Sequence, residues 1–185
     1  MATNASTRFL TVEEFLRIDF GPDAKAELDN GIIRMMAGGK GAHNRLQRNV
    51  LVALANKLSG TGCTAWGPDT GVRAHDFSMR LPDVSVYCGR DGPENDEETT
   101  FDNPKLIVEI LSDSTRTYDM TVKLAEYRAI KSLDTILFID PMDERIRLLS
   151  RENGEWDDTW LAKESDVLLS ALGIALARSE IFARG

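Results

Sequence analysis

Glu109 stands inside the most apolar run of the chain, Lys105-Leu-Ile-Val-Glu-Ile-Leu111. Such a run reads as a strand with both faces buried. An unpaired carboxylate there is strongly unfavourable, so it needs a partner or a metal ion. Two more charges stand in core-like sequence. Asp83 follows Pro82 at the head of a second expected strand, Leu81 to Tyr87. Lys123 borders the row Met120, Leu124, Tyr127 and Lys131 of a helix expected over Met120 to Lys131. Each has an ordinary explanation alone. A lysine beside an apolar stripe snorkels to water, a buried Glu pairs with an arginine, and an Asp after proline caps a turn. All three in otherwise apolar contexts read as one site.

The chemistry of such a set is specific. Two carboxylates converging from neighbouring strands form a hard, oxygen-rich site suited to Mg²⁺ or Mn²⁺. Such an ion polarises a phosphoryl oxygen and lowers the pKa of a bound water. A partly buried lysine holds that water or neutralises charge on the phosphate. This is the minimum equipment for hydrolysing a phosphodiester.

Other residues carry weaker signals. His43 opens a helix, where it could meet a phosphate or act as a base, although the helix dipole disfavours a cationic His there. His75 lies in a turn and gives no signal. Tyr127 reads as core. Gly38-Gly-Lys-Gly41 lacks the spacing of a phosphate loop, which excludes the nucleoside-triphosphate reading. Ser112 and Ser114 have no histidine that the sequence places beside them, against a serine hydrolase. Asp113 and Asp119 read as turn and cap residues. Cys63 and Cys88 show neither CxxC nor zinc spacing, and are expected to be reduced and structural. Arg45, Arg48 and Lys57 on one side of a helix form the best candidate for a phosphate-facing strip.

These residues need elements to position them. Thr11-Val-Glu-Glu14 is a capping box that starts a helix reaching about Ile18. Asn30-Gly31 between apolar runs signals a hairpin joining Ala26–Leu28 to Ile32–Met36. A helix is expected from His43 to Leu58, with Leu46, Val50, Ala53, Leu54 and Leu58 on one face. Short strands follow at Cys63–Trp66 and Gly71–Ala74. Asp91 to Asp102 holds six acidic residues and no basic one, and reads as a solvated loop. Thr135–Asp140 reads as a buried strand, and Arg145–Ser150 pairs through Asn153-Gly154 with Glu155–Leu161. Val167–Leu169, Ile174–Leu176 and a helical turn near Ser179–Phe182 close the chain. The order implies one α/β domain over residues 1–185, a mixed sheet carrying helices.

Composition sets outer limits. The 185 residues are 42% hydrophobic and 28% charged, ordinary for a soluble globular protein. No stretch has the length and apolarity of a membrane helix, and the start lacks a signal-peptide pattern, so a cytoplasmic protein without membrane contact is expected. The net charge of −8 argues against a non-specific nucleic-acid binder.

Pro82-Asp83, then Val108-Glu-Ile-Leu-Ser-Asp-Ser-Thr115, then Tyr118-Asp119-x-x-x-Lys123-x-x-x-Tyr127, resembles the Uma-type endonuclease family. Ala26-Glu27-Leu-Asp-Asn-Gly31, His43 with its helix, Asp140-Pro141 and Ile181-Phe182 extend the resemblance over most of the chain. It implies the restriction-endonuclease-like fold of the PD-(D/E)xK superfamily, a mixed β-sheet flanked by helices with additional β-hairpins. It also implies Mg²⁺- or Mn²⁺-dependent cleavage of DNA by a homodimer. Asp83 and Glu109 match the metal ligands, with Glu27 as a further carboxylate and the Ile110 carbonyl facing the ion. Leu111 stands where the superfamily's lysine usually lies, and Lys123 on the following helix takes its part. Asp113 replaces the family's usual proline, and the loop Met36 to His43 is unusually rich in glycine. The competing reading is a non-catalytic nucleic-acid- or protein-binding module that retains the fold. A third is a structural pair of Glu109 and Lys123 without metal.

Overall fold

The computed structural model describes residues 8–22, 24–89 and 99–184. Two sheets and a small hairpin make up the strands. The larger sheet has six strands in the order β11-β10-β9-β8-β6-β3. These are β3 (Cys63–Trp66), β6 (Val84–Cys88), β8 (Leu106–Ile110), β9 (Thr135–Asp140), β10 (Arg145–Glu152) and β11 (Glu155–Trp160). β8 and β9 run parallel, and the other neighbours run antiparallel. The smaller sheet has the order β2-β1-β5-β4-β7. Its members are β1 (Ala26–Asp29), β2 (Ile32–Met35), β4 (Gly71–His75), β5 (Ser78–Arg80) and β7 (Thr100–Phe101). β12 (Val167–Leu169) and β13 (Ile174–Leu176) form the separate hairpin.

Alternation along β8 explains its unbroken apolar sequence. Leu106, Val108 and Ile110 pack under α2 (Gly41–Leu58), against Leu46, Val50 and Leu54. Ile107 and Leu111 face the opposite way, into a second core with Leu124, Tyr127 and Phe138. Glu109 belongs to this second face, which the crossover between β8 and β9 covers. The crossover comprises α3 (Arg116–Tyr118), a π-helical segment Asp119–Lys123 and α4 (Leu124–Ala129). A third core joins α1 (Val12–Phe15) to β1 and β5 through Val12, Phe15, Leu28 and Met79. α5 (Arg178–Ile181) packs against α2 near the chain's end.

Several expectations change. The strand expected over Leu81 to Tyr87 is two elements. β5 ends at Arg80 in the smaller sheet, and β6 begins at Val84 in the larger one. Pro82 has no N–H to give a ladder, and Leu81-Pro-Asp83 carries the chain from one sheet to the other. Asp83 therefore lies in a bend outside the strand. Asp119 does not cap a helix, since helical backbone already runs through Tyr118 before it. The helix ends at Ala129, leaving Lys131 outside it and exposed. The expected acidic loop contains β7, whose Phe101 is buried, while residues 90–98 lie outside the described residues. Cys63 and Cys88, expected reduced, form a disulfide across directly opposed positions of β3 and β6. Among the described residues, no helix is long and apolar enough to cross a membrane.

Candidate active site

The register of β6 and β8 creates the site. Val84 lies opposite Val108, so Asp83, one residue earlier, comes level with Glu109. Asp83 turns its carboxylate onto the end of β8, where Oδ2 accepts the Ile110 N–H at 2.7 Å. Two side chains from the first turns of α2 complete its setting. His43 Nε2 lies 3.3 Å from Oδ2, and Gln47 Nε2 donates to Oδ1 at 3.1 Å. His43 and Gln47 are four residues apart and so share a helix face. The bond to Asp83 raises the His43 pKa, outweighing the opposing effect of burial. His43 Nδ1 is buried with no hydrogen-bond partner among the described residues. Gly39 lies against this ring, where a Cβ would approach Nδ1 to 2.8 Å and Asn44 Oδ1 to 2.7 Å. The glycine-rich loop thus has a packing reason at this position.

Glu109 and Lys123 meet on the other face of β8. Lys123 Nζ is 3.1 Å from Glu109 Oε1, 2.8 Å from Glu27 Oε1 and 3.6 Å from Asp119 Oδ1. Tyr127 donates its hydroxyl to Glu109 Oε1 at 2.6 Å. Lys123 is only 5% exposed, so it does not snorkel to solvent. Glu27, Asp83, Glu109 and Asp119 are likewise buried. Burial pushes the Glu109 carboxyl up to about 8; Lys123 opposes the shift, while Asp119, Asp83 and Glu27 add to it. Burial also raises Asp119. Burial alone would lower Lys123, but the charges of Glu109, Glu27 and Asp119 outweigh it and hold the ammonium charged.

Behind this cluster lies a second one, centred on Arg80, whose side chain is wholly buried. Its guanidinium bonds Glu126 through Nε at 2.6 Å and Nη2 at 2.8 Å, Asp29 at 2.9 Å and the Tyr118 hydroxyl at 2.7 Å. Nη1 reaches Glu27 Oε2 at 3.4 Å, which joins the two clusters. Glu27 also accepts the Leu81 N–H at 3.0 Å, tying it to the bend that carries Asp83. Tyr118 donates to Asp29 at 2.5 Å, and the Arg34 guanidinium lies 3.7 Å from its ring centroid.

Glu109, Lys123 and Glu27 are thus brought together from three parts of the chain, whereas Asp83 comes level with Glu109 but makes its contacts with His43, Gln47 and the Ile110 N–H. Asp119, Gln47 and Arg80 were missed. The four-residue spacing of Asp119 and Lys123 is an ion-pair spacing and was a usable signal. His43, for which the sequence offers a helix-start residue, a phosphate contact or a base, touches Asp83. Ser112 and Ser114 bond each other and Thr115 within a turn, as expected of connector residues. His75 sits at the edge of the Arg80 cluster, 3.8 Å from Glu126. The expected phosphate-facing strip is weakened, since Lys57 pairs with Glu180 at 3.2 Å. Among the described residues, no three carboxylates, histidines or cysteines form a ready metal-binding set. The Lys123 ammonium instead occupies the space between Glu27 and Glu109.

The model of the Uma2 family, described as "Putative restriction endonuclease", matches residues 12–179. The chain belongs to the Uma2 family. Two Synechocystis proteins, sll1609 and slr1290, both described as uncharacterized, are similar along most of their lengths. The first is 29% identical over 89% of this chain and 92% of its own. The second is 27% identical over 94% of this chain and 91% of its own. The crystal structure of a "putative nuclease belonging to DUF820" from Anabaena variabilis has the same fold. Its TM-score is 0.76, with 18% identity, covering 94% of this chain and 98% of that one. The expected restriction-endonuclease-like α/β architecture is therefore the observed one.

Proposed function

We propose that this Uma2 protein is a metal-dependent endonuclease that hydrolyses DNA phosphodiester bonds at the Asp83–Glu109–Lys123 cluster. One observation carries the reading. Three buried carboxylates, Glu27, Glu109 and Asp119, surround one ammonium, and a fourth, Asp83, is buried level with Glu109 on the neighbouring chain segment, a concentration of acidic oxygens that a divalent cation would neutralise. The family description and the likeness to a nuclease fold support it.

The donors are hard oxygens of the kind such an ion takes, and Lys123, which stands between Glu27 and Glu109, would have to give way to it. Asp83 and Glu109 would hold it as hard oxygen ligands, with Glu27 as a third and the Ile110 carbonyl as the resemblance implies. When bound, Mg²⁺ or Mn²⁺ supplies Lewis acidity toward a phosphoryl oxygen and a bound water. The protein's own groups do the rest. Lys123, held charged, is a poor general base; it acts by donating hydrogen bonds to the attacking water and to phosphate oxygens as charge develops. Asp119 and Glu27 anchor that ammonium, and Tyr127 orients Glu109. His43, Gln47 and the Ile110 N–H fix Asp83. The proposal extends to a homodimer, because a duplex has two strands to cut, and to a cytoplasmic protein.

The metal-free charge network is the second reading, favoured by the direct contact of Lys123 with Glu109 and Glu27. Calorimetric titration of Mn²⁺ into wild type and Asp83→Ala separates the two. Heat in wild type that disappears in the variant supports the metal site, and equal heats remove it. Plasmid nicking with and without Mg²⁺ then tests catalysis. Mg²⁺-dependent nicking that is lost in Lys123→Ala supports the nuclease, whereas identical behaviour of the two proteins favours a binding module.

A further inference from the structure

A cleft of about 510 Å³ lies beyond the turn between β9 and β10, lined by Met142, Asp143, Glu144, Arg145, Lys163 and Arg178. Its cations differ from most others in this acidic chain. Among the described residues, Arg145, Lys163 and Arg178 form no ion pair with a carboxylate. By contrast Arg147 and Arg128 pair with Asp158, Lys105 with Asp134, and Arg116 with Asp140.

Two of the three are preorganised. Arg145 lies 4.3 Å from the centroid of Trp160, and Arg178 lies 4.8 Å from that of Phe182. Stacking fixes a guanidinium plane while leaving its N–H groups to donate. Arg178 also donates from Nη2 to the Glu144 carbonyl. Its Nη1 is buried without a partner among the described residues. Of the two acids in the lining, Glu144 is engaged by Arg184 at 2.9 Å. Asp143 contributes one opposing charge.

The cleft also lies on the catalytic end of the sheet. β8 and β9 are parallel, with Ile110 level with Ile139, so Glu109 and Asp140 sit at the same strand ends. Arg116, which opens the helical crossover carrying Lys123, binds Asp140 at 2.7 Å. Strand spacing and rise place Met142 roughly 10–15 Å from Glu109.

We infer that this cleft is a phosphate-binding subsite formed by Arg145, Lys163 and Arg178. Resting on the nuclease reading above, it takes a backbone phosphate flanking the one that is cleaved. Planar guanidinium groups match the oxygens of a phosphate, and the ammonium adds a point charge. The shared chemistry admits a second source, free phosphate or a phosphomonoester.

Two measurements without divalent ions test it, so that no cleavage intervenes. Inorganic phosphate is titrated while tryptophan emission is followed, with Trp160→Phe confirming the reporter. Wild type is expected to give a saturable change that Lys163→Ala and Arg145→Gln each weaken about tenfold. Binding of a labelled DNA duplex is followed by anisotropy across a salt series. If a backbone phosphate occupies the cleft, Lys163→Ala reduces the slope of log K against log salt by about 1, for every sequence tried. If only the phosphate response changes, the subsite stands and its ligand is a free phosphate or phosphomonoester. No Trp160 response in wild type overturns the subsite, whatever the duplex does. Neither measurement involves nicking or the carboxylate cluster, so failure here leaves the active-site proposal intact. A failed nicking assay likewise leaves the phosphate response standing.

Discussion

At the scale of single residues, the buried charges bear on stability and, on the proposed function, on activity. Glu109 has a folded-state pKa raised to about 8 by burial. Its contribution to stability is therefore complete below the ordinary carboxylate range and is lost as pH rises through about 8. The same group must ionise to hold a cation, so nicking should rise with pH across the neutral range. Tyr127→Phe removes a donor that favours the ionised carboxylate, and the rising limb should move to higher pH while the core stays packed. A profile identical to wild type would show that Glu109 does not control the rate. Arg80 gives a second test. Replacing it by Met strands Glu126, Asp29 and Glu27 without their guanidinium, which should cost about 3–5 kcal/mol in urea unfolding. Lysine at this position lacks the planar fork and should rescue little. Glu109, Asp83 and Lys123 were legible because each interrupts an apolar pattern. Arg80 was not, because Ser78-Met-Arg80 is too short to show a period, and its partners lie on β1, α3 and α4.

At the scale of elements, turn chemistry and periodicity proved the most informative signals. Asn30 and Gly31 both have positive φ, 47° and 82°, as the hairpin between β1 and β2 requires. That hairpin delivers Glu27 and Asp29 to the two charge clusters. Gly31 has a second constraint, since a Cβ there would lie 2.4 Å from Phe9 Cβ. Gly31→Ala should therefore lower stability by about 1–3 kcal/mol and weaken nicking through Glu27. Unchanged thermal unfolding would show that the N-terminal segment yields freely. The boundary between β5 and β6 was hidden, because apolar residues continue on both sides of Pro82 while the backbone changes sheet. The π-helical widening at Asp119–Lys123 was equally invisible, since it alters hydrogen bonding without altering composition. Leu124 donates to the Asp119 carbonyl five residues back, and such widened turns recur at functional sites.

At the scale of the whole molecule, the question is how a chain of net charge −8 buries part of its negative charge beside its sheet. Part of the answer is Arg80 and Lys123, and part is protonation, as the raised Glu109 shows. On the proposed function a divalent ion that binds the folded state alone would supply the remainder, and mass action would make that visible without any substrate. At 100 times its dissociation constant, a ligand adds about 2.7 kcal/mol to stability. For a chain of this size that corresponds to a rise of about 5–10 °C in Tm. Because the carboxylate must release its proton, the gain should be larger at pH 8 than at pH 6. Asp83→Asn should abolish the gain, while Lys163→Ala, outside the cluster, should keep it. Monovalent salt at matched ionic strength supplies the control, since screening alone acts on both variants alike. A Tm that ignores Mg²⁺ and Mn²⁺ at millimolar concentration would leave the carboxylates balanced by Lys123, Arg80 and protons, and the cluster would then be structural.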